Sequence, residues 1–244
     1  MPTAVLVHGG FHGGWCWSKV ARQLREQGWD IYAPSLTGVA DRAHLATAAV
    51  GAMTHVQDIV NLIEFEELQD VILCGHSAGG HTITGVAEAM PERIAHLVYL
   101  DGTVPESGQS VNDILGDDSG VPQMFRELAA AHDGVSIPPT VFSASDFGVI
   151  EPASAAWVTR RLTPHPLRCF EEPIFFGERF ESVARKTFVR SERFPAPYGA
   201  RMIDRFEHDP AWTAVRWDVG HDTMVIVPQD VVSLLIDAAQ PPAG

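Results

Sequence analysis

Residues 71–80, V-I-L-C-G-H-S-A-G-G, constrain this chain more than any other stretch. A short apolar run, Val71 to Cys74, reads as a buried strand. It passes directly into Gly75-His76-Ser77-Ala78-Gly79, which matches G-x-S-x-G. Thr82, Ile83, Val86, Ala87 and Met90 follow at helical spacing, and Pro91 stops the helix. Strand, tight turn and helix are the context in which that pattern has chemical meaning. A sharp turn pushes the Ser77 hydroxyl out of the sheet, and side chains at positions 75 and 79 would collide with neighbouring backbone. Ser77 is the candidate nucleophile.

The remainder of the chain alternates strand-like and helical segments. Thr3 to Val7 is an apolar strand, followed by the glycine-rich loop His8-Gly9-Gly10-Phe11-His12-Gly13-Gly14. Such a loop can bring backbone N–H groups close to a substrate. Residues 15–27 have helical spacing ending at Gly28, and residues 29–33 form a second strand ended by Pro34. Thr54 is placed to cap a helix carrying Val56, Ile59, Val60 and Ile63. Residues 94–100 form a fourth strand, ending at Asp101-Gly102. Strands are expected again at 186–190 and 212–217, with helices near 200–206 and 227–239. Six strands alternating with helices predict an α/β fold with a mostly parallel sheet and right-handed crossovers. Residues 102–183 break this alternation: they are rich in Pro, Gly and Phe and hold no βα units. They are expected to form an inserted helical cap on a core made of residues 1–101 and 184–244, within a single domain.

Composition excludes several classes of function. The formal charge is −14, with no block of Lys or Arg, which argues against nucleic acid and anionic membranes as partners. Cys16, Cys74 and Cys169 are odd in number, and Cys74 falls in the buried strand, so a disulfide framework is not expected. The first residues lack a basic n-region, and no stretch approaches membrane-spanning length, so the chain reads as cytoplasmic. His8 and His12 are four apart but lie in a glycine loop rather than an H-E-x-x-H helix, and no G-x-G-x-x-G precedes a helix. Neither a metal nor another cofactor is expected.

With H-G-G-F-H-G-G-W near the start, G-H-S-A-G-G in the middle and G-H-D near the end, the chain resembles the α/β-hydrolases. More narrowly it resembles the branch of plant methylesterases, hydroxynitrile lyases and bacterial esterases. The resemblance places the nucleophile on Ser77, and the oxyanion hole on the backbone N–H groups of Ala78 and Gly10. Among eleven histidines the catalytic position falls on His221, in W-D-V-G-H-D after the last strand. His76 reads as structural, His208 as exposed, and His44, His55, His96, His132 and His165 as solvated. The acid is less direct. Plant relatives carry it after the penultimate strand, but the matching residue here is Arg193, with Glu192 one position earlier. A minority of the superfamily takes the acid from the end of the strand after the elbow helix, which is Asp101 here. Asp101 and Glu192 both stand as candidates, while Asp218 and Asp222 are too near His221 in the chain to meet its Nδ1.

The activity this implies is serine hydrolysis of a carboxylic ester or lactone through an acyl-enzyme. Phe11, His81 and Trp157 are expected in the substrate pocket, and the aromatic cap suggests an apolar small molecule. A homodimer is compatible with the sequence. Two alternatives remain: a hydroxynitrile lyase, or a non-catalytic receptor for a small ligand on the same fold. The lyases of this branch carry Thr at the place of Gly9 and Lys directly after the catalytic His, where this chain has Asp222.

Overall fold

The computed structural model describes residues 1–240, and within them the core elements follow the apolar pattern closely. In chain order they are β1 (Thr3–Val7), α1 (Ser18–Glu26), β2 (Asp30–Tyr32), α2 (Ala52–Phe65), β3 (Val71–His76), α3 (Gly79–Ala89) and β4 (Ile94–Leu100). Between β4 and the next core strand come α4 (Val111–Leu115), α5 (Val121–His132), β5 (Ser136–Ile137), α6 (Pro152–Thr159), β6 (His165–Pro166), α7 (Arg168–Glu171) and α8 (Glu178–Glu181). The core resumes with β7 (Lys186–Ser191), α9 (Pro197–Phe206), β8 (Trp212–Trp217), α10 (Thr223–Ile226) and α11 (Pro228–Ala239).

Six strands form one sheet in the order β2-β1-β3-β4-β7-β8, and every pairing in it is parallel. Side-chain alternation sorts the strands' residues between two apolar layers. Val5, Val7, Leu73, Leu97, Tyr99 and Phe188 pack on one face with Ile59 and Ile63 of α2 and Ile203 of α9. Ala4, Leu6, Ile72, Cys74, Val98, Leu100 and Val189 pack on the other with Leu24 of α1 and Leu235 of α11. Both faces are covered, which is why the central strands read as unbroken apolar runs. The chain leaves β1 toward β2 on one side and later fills β3 on the other, so a crevice opens at the carboxyl ends of β1 and β3. The loop after β1 and the turn after β3 meet there.

Two local expectations are revised. Thr54 is not the cap of α2: Gly51 holds that position, and the Thr54 hydroxyl accepts the Gly51 N–H at 3.2 Å from within the first turn. Residues 102–183 are not purely helical, since β5 and β6 pair antiparallel through Ser136↔Pro166 and Ile137↔His165. Among the described residues no helix is long and apolar enough to cross a membrane.

The turn after β3 depends on backbone proximity. A Cβ on Gly79 would lie 2.7 Å from the His8 carbonyl oxygen and 2.8 Å from that of Val7, both backbone atoms of the β1 end. Gly79→Ala is therefore expected to lower unfolding stability by about 1–3 kcal/mol through overpacking. Gly177→Ala, whose Cβ would meet nothing within 4 Å, should leave stability nearly unchanged. Urea denaturation of the two variants checks the contrast, and equal midpoints would contradict it.

Candidate active site

Ser77 sits at φ 52°, a left-handed conformation that non-glycine residues adopt only when the surroundings enforce it. Its N–H donates to the Leu100 carbonyl at 3.2 Å, and its own carbonyl accepts from Gly80 and Thr103 N–H groups, each at 2.9 Å. These bonds tie the turn to β4 and to the start of α3. A Cβ on Gly9 would lie 2.6 Å from the Ser77 Cβ, so the loop after β1 can approach the serine only as glycine.

Asp101 follows β4 directly, is fully buried, and is also left-handed at φ 45°. Its Oδ2 lies 2.7 Å from His221 Nδ1. Its Oδ1 accepts from Arg190 Nη1 at 2.9 Å and from the Ser191 N–H at 3.2 Å. With Nδ1–H donated to the carboxylate, Nε2 of a neutral His221 is left as the proton acceptor. The imidazole stacks on Phe194, with ring centroids 4.0 Å apart. The His221 carbonyl accepts from His76 Nε2 at 3.0 Å, which gives His76 the structural place expected of it. Ser77 and His221 line one cavity.

The structure brings Asp101, and not Glu192, to the histidine. Glu192 is half exposed and its carboxylate meets Arg216 Nη1 at 3.0 Å, on the side where Arg216 also holds Asp204 and Glu207. Glu192 and Arg193 follow β7 in a turn with both side chains exposed, and Arg216 and Asp218 hold them on the outside, away from His221. Asp218 is paired with Arg193, and Asp222 with His12.

Gly10, Phe11 and Ala78 border the same cavity. Ala78 precedes α3, whose first amides have no partners within the helix. In the loop after β1, His8 Nδ1 donates to the Gly9 carbonyl at 2.8 Å and its Nε2 accepts the Leu36 N–H at 3.0 Å. That pattern defines a neutral ring, and burial pulls its pKa down to about 3. The Phe11 N–H donates to His165 Nδ1 at 3.2 Å.

The cavity holds about 440 Å³ and is walled by Phe11, Phe125, Phe142, Phe147, Phe170 and Phe194, with Val111, Leu115 and Met124. Among its lining residues are no Asp, Glu, Lys or Arg. Two expected pocket residues lie elsewhere. His81 borders a small internal cavity behind Ala78 and is tied to the Gln109 carbonyl at 3.0 Å. Trp157 packs edge-on against Trp15 and lines a separate surface groove with Lys19, Arg22 and Arg160. His55, His96 and His165, expected in solvated positions, are buried. His55, His165 and Cys169 bring ligand-type atoms within 4.8 Å of one another. One ring nitrogen of each histidine is engaged in the fold, however: His55 Nε2 with the Thr37 carbonyl and His165 Nδ1 with the Phe11 amide. Arg190 was not anticipated. Its signal in the sequence is an Arg inside the apolar run T-F-V-R-S of a central strand, where a charge requires a buried partner.

This fold, with Ser77 and His221 on one cavity and Asp101 bonded to His221, defines a class. A profile of the alpha/beta hydrolase family matches residues 4–240, and the chain belongs to that family. Its sequence relatives place it among carboxylic ester hydrolases. It is 37% identical over 246 residues to the carbendazim hydrolyzing esterase of a Nocardioides species, covering 96% of this chain and 98% of that one. It is 30% identical over 142 residues to putative methylesterase 14, chloroplastic, of Arabidopsis thaliana, covering 57% of this chain and 41% of the relative. A solved extracellular alpha/beta-hydrolase from a Paenibacillus species, described as sharing structural and functional homology with tobacco salicylic acid binding protein 2, superposes with a TM-score of 0.83. It is 25% identical, with 99% of this chain and 100% of that one covered.

The geometry ranks the two acidic candidates. Asp101→Asn keeps the shape and removes the charge facing His221, and kcat for ester hydrolysis is expected to fall by ~10⁴. Glu192→Gln, which loosens an exposed cluster, should cost less than about tenfold. Steady-state kinetics on both variants decide the matter, and the reverse ranking would move the acid to Glu192.

Proposed function

We propose that the chain hydrolyses carboxylic esters of uncharged, largely apolar small molecules through an acyl-enzyme on Ser77. The observation that carries this reading is the buried line from Asp101 through His221 toward Ser77 at the floor of a phenylalanine-walled cavity. His221 Nε2 takes the Ser77 proton as Oγ attacks the ester carbonyl. Asp101 holds the ring in the required tautomer and stabilises the imidazolium that forms. The developing oxyanion is received by the Gly10 and Ala78 N–H groups. The imidazolium then protonates the departing alcohol, and water, deprotonated by the same nitrogen, releases the acid. Every proton in this sequence is accounted for by Ser77, His221, the substrate and water.

The wall composition supports the substrate class. An anionic substrate would lose its hydration without meeting a counter-charge, whereas an aromatic or alkyl ester gains apolar contact with the phenylalanine rings. The relative named for carbendazim hydrolysis makes that compound a direct probe, beside methyl esters, p-nitrophenyl esters and lactones. The lyase alternative has less support. The place where such lyases carry Thr is Gly9, where even a Cβ would collide with Ser77, and the residue after His221 is an Asp already paired with His12.

Ser77→Ala is expected to lower kcat by ~10⁶ while leaving the fold intact, and to abolish labelling by a fluorophosphonate probe. Hydrolysis of the ester panel together with probe labelling, in wild type and variant, is the test. A Ser77→Ala protein retaining several per cent of activity, or a wild type that the probe does not label, would remove Ser77 from this role.

A further inference from the structure

A second buried histidine–carboxylate pair lies beside the first and takes no part in the steps above. His12 and Asp222 are 1% and 0% exposed, and His12 Nε2 is 3.0 Å from Asp222 Oδ2. The other ring nitrogen, Nδ1, is 2.8 Å from the Gly10 carbonyl oxygen. A carbonyl can only accept and an ionised carboxylate can only accept, so His12 donates from both nitrogens and is the imidazolium. Its ring lies flat against Trp15, with centroids 5.2 Å apart, an arrangement that favours a cation. Burial lowers the His12 pKa, but the Asp222 charge and hydrogen bond outweigh it, and the net shift is upward.

The two ends of this pair belong to the two loops that must cooperate in ester hydrolysis. Asp222 adjoins His221, and Gly10 is the oxyanion donor of the reading above. Gly9 and Gly10 have no intrinsic rigidity. The Gly10 N–H belongs to the Gly9–Gly10 peptide, and a rotated Gly10–Phe11 peptide would turn the Gly10 carbonyl oxygen toward the oxyanion forming beside that N–H. His8 on the Gly9 carbonyl fixes the peptide that carries the Gly10 N–H, and two bonds oppose rotation of the next one: His165 on the Phe11 amide, and His12 on the Gly10 carbonyl. Only the last is charge-assisted, and only it reaches the His221 loop.

We propose that His12 and Asp222 form a charged clamp that holds the Gly10 carbonyl away from the oxyanion and leaves the Gly10 amide to receive it, making both positioning residues for hydrolysis. The proposal rests on the assignment of Ser77, His221 and Gly10 above. It implies an alkaline limit on catalysis. The clamp is intact while His12 is cationic, below its raised pKa, and is lost as pH rises through that value, because a ring lone pair then faces a carboxylate. The other titratable groups around the pair are His8, His76, His165, His221 and Cys16. Burial holds His8, His76 and His165 neutral by lowering their pKa values, and pushes the Cys16 thiol well above its ordinary range.

Kinetics of the full chain on one p-nitrophenyl ester across pH provide the test. Wild-type kcat should fall on the alkaline side. Asp222→Asn can donate its amide N–H to a neutral His12 Nε2 and has no clamp proton to lose. It should cost less than about tenfold at neutral pH and abolish the alkaline limb. His12→Ala should lower kcat by ~10² with KM within about threefold, the scale of a misplaced oxyanion donor. An alkaline limb unchanged in Asp222→Asn would overturn the clamp, as would a His12→Ala enzyme, folded by its thermal transition, with wild-type kcat. Ser77→Ala separates the two readings: if that variant is inactive while Asp222→Asn keeps its limb, the clamp alone fails, and if that variant is active the site assignment fails.

Discussion

The carboxylate of Asp101 is the interaction on which the order of the site depends. One oxygen holds His221, and the other is shared by the Arg190 guanidinium and the Ser191 amide. Carboxylate and guanidinium are both buried, and each loses several kcal/mol of hydration on folding. That cost is recovered only if every bond of the set is in place, so the arrangement tolerates little displacement. Arg190 also donates to the Phe194 and Ala196 carbonyls, which fixes the loop whose Phe194 ring lies on His221. Gly199 is small because a Cβ there would come within 2.4 Å of the same guanidinium. Asp101, His221 and the Phe194 wall beside the imidazole are thus joined in one electrostatic unit through Arg190. Removing the Arg190 charge would strand a buried carboxylate at a cost of about 3–5 kcal/mol.

Backbone geometry is the second constraint. Phe11, Ser77 and Asp101 all adopt positive φ, at 65°, 52° and 45°, and none is a glycine. Each such residue costs on the order of 1–3 kcal/mol and persists where its surroundings enforce it. All three border or support the same cavity. The parallel sheet supplies the enforcement: β1, β3 and β4 end together, so the three loops that follow them are pressed into one volume. Gly9 and Gly79 mark the contacts where that compression leaves no room for a side chain.

This explains what could be read from the sequence and what could not. The sheet was legible because both of its faces are buried, and the strands therefore stand out as apolar runs between turn residues. Ser77 was legible because its turn demands glycines at fixed offsets, and His221 through its place after the last strand. The choice between Asp101 and Glu192 was not, because it turns on where the residues just beyond two strand ends are packed, and Glu192 is drawn outward in a turn by Arg216. The buried histidines were misread for a related reason. His55, His96 and His165 are polar in composition tables, yet each ring meets a backbone or hydroxyl partner in the interior that no local pattern announces. Trp157 and His81 lie outside the main cavity because each sits on a helix whose cavity-facing side is set by tertiary packing, for which residue type alone is no guide. The phenylalanine wall came through as composition, but its assembly from α5, α7 and intervening loops did not.

The charges around the site also determine what its cavity is able to admit. Asp101 is neutralised by Arg190 and bonded to His221, and Asp222 is neutralised by His12, all within the protein. None of these charges faces an incoming ligand without a partner already bound to it. A substrate anion would have to compete with a carboxylate for Arg190, which is 5% exposed and bonded on three sides. On the function proposed above, the negative charge that develops on the carbonyl oxygen during attack would be met by the neutral backbone amides of Gly10 and Ala78. On that reading the site favours charge that appears in the transition state over charge that is present in the ground state. That difference is what an ester hydrolase requires, since interactions made equally with both states would not accelerate the reaction.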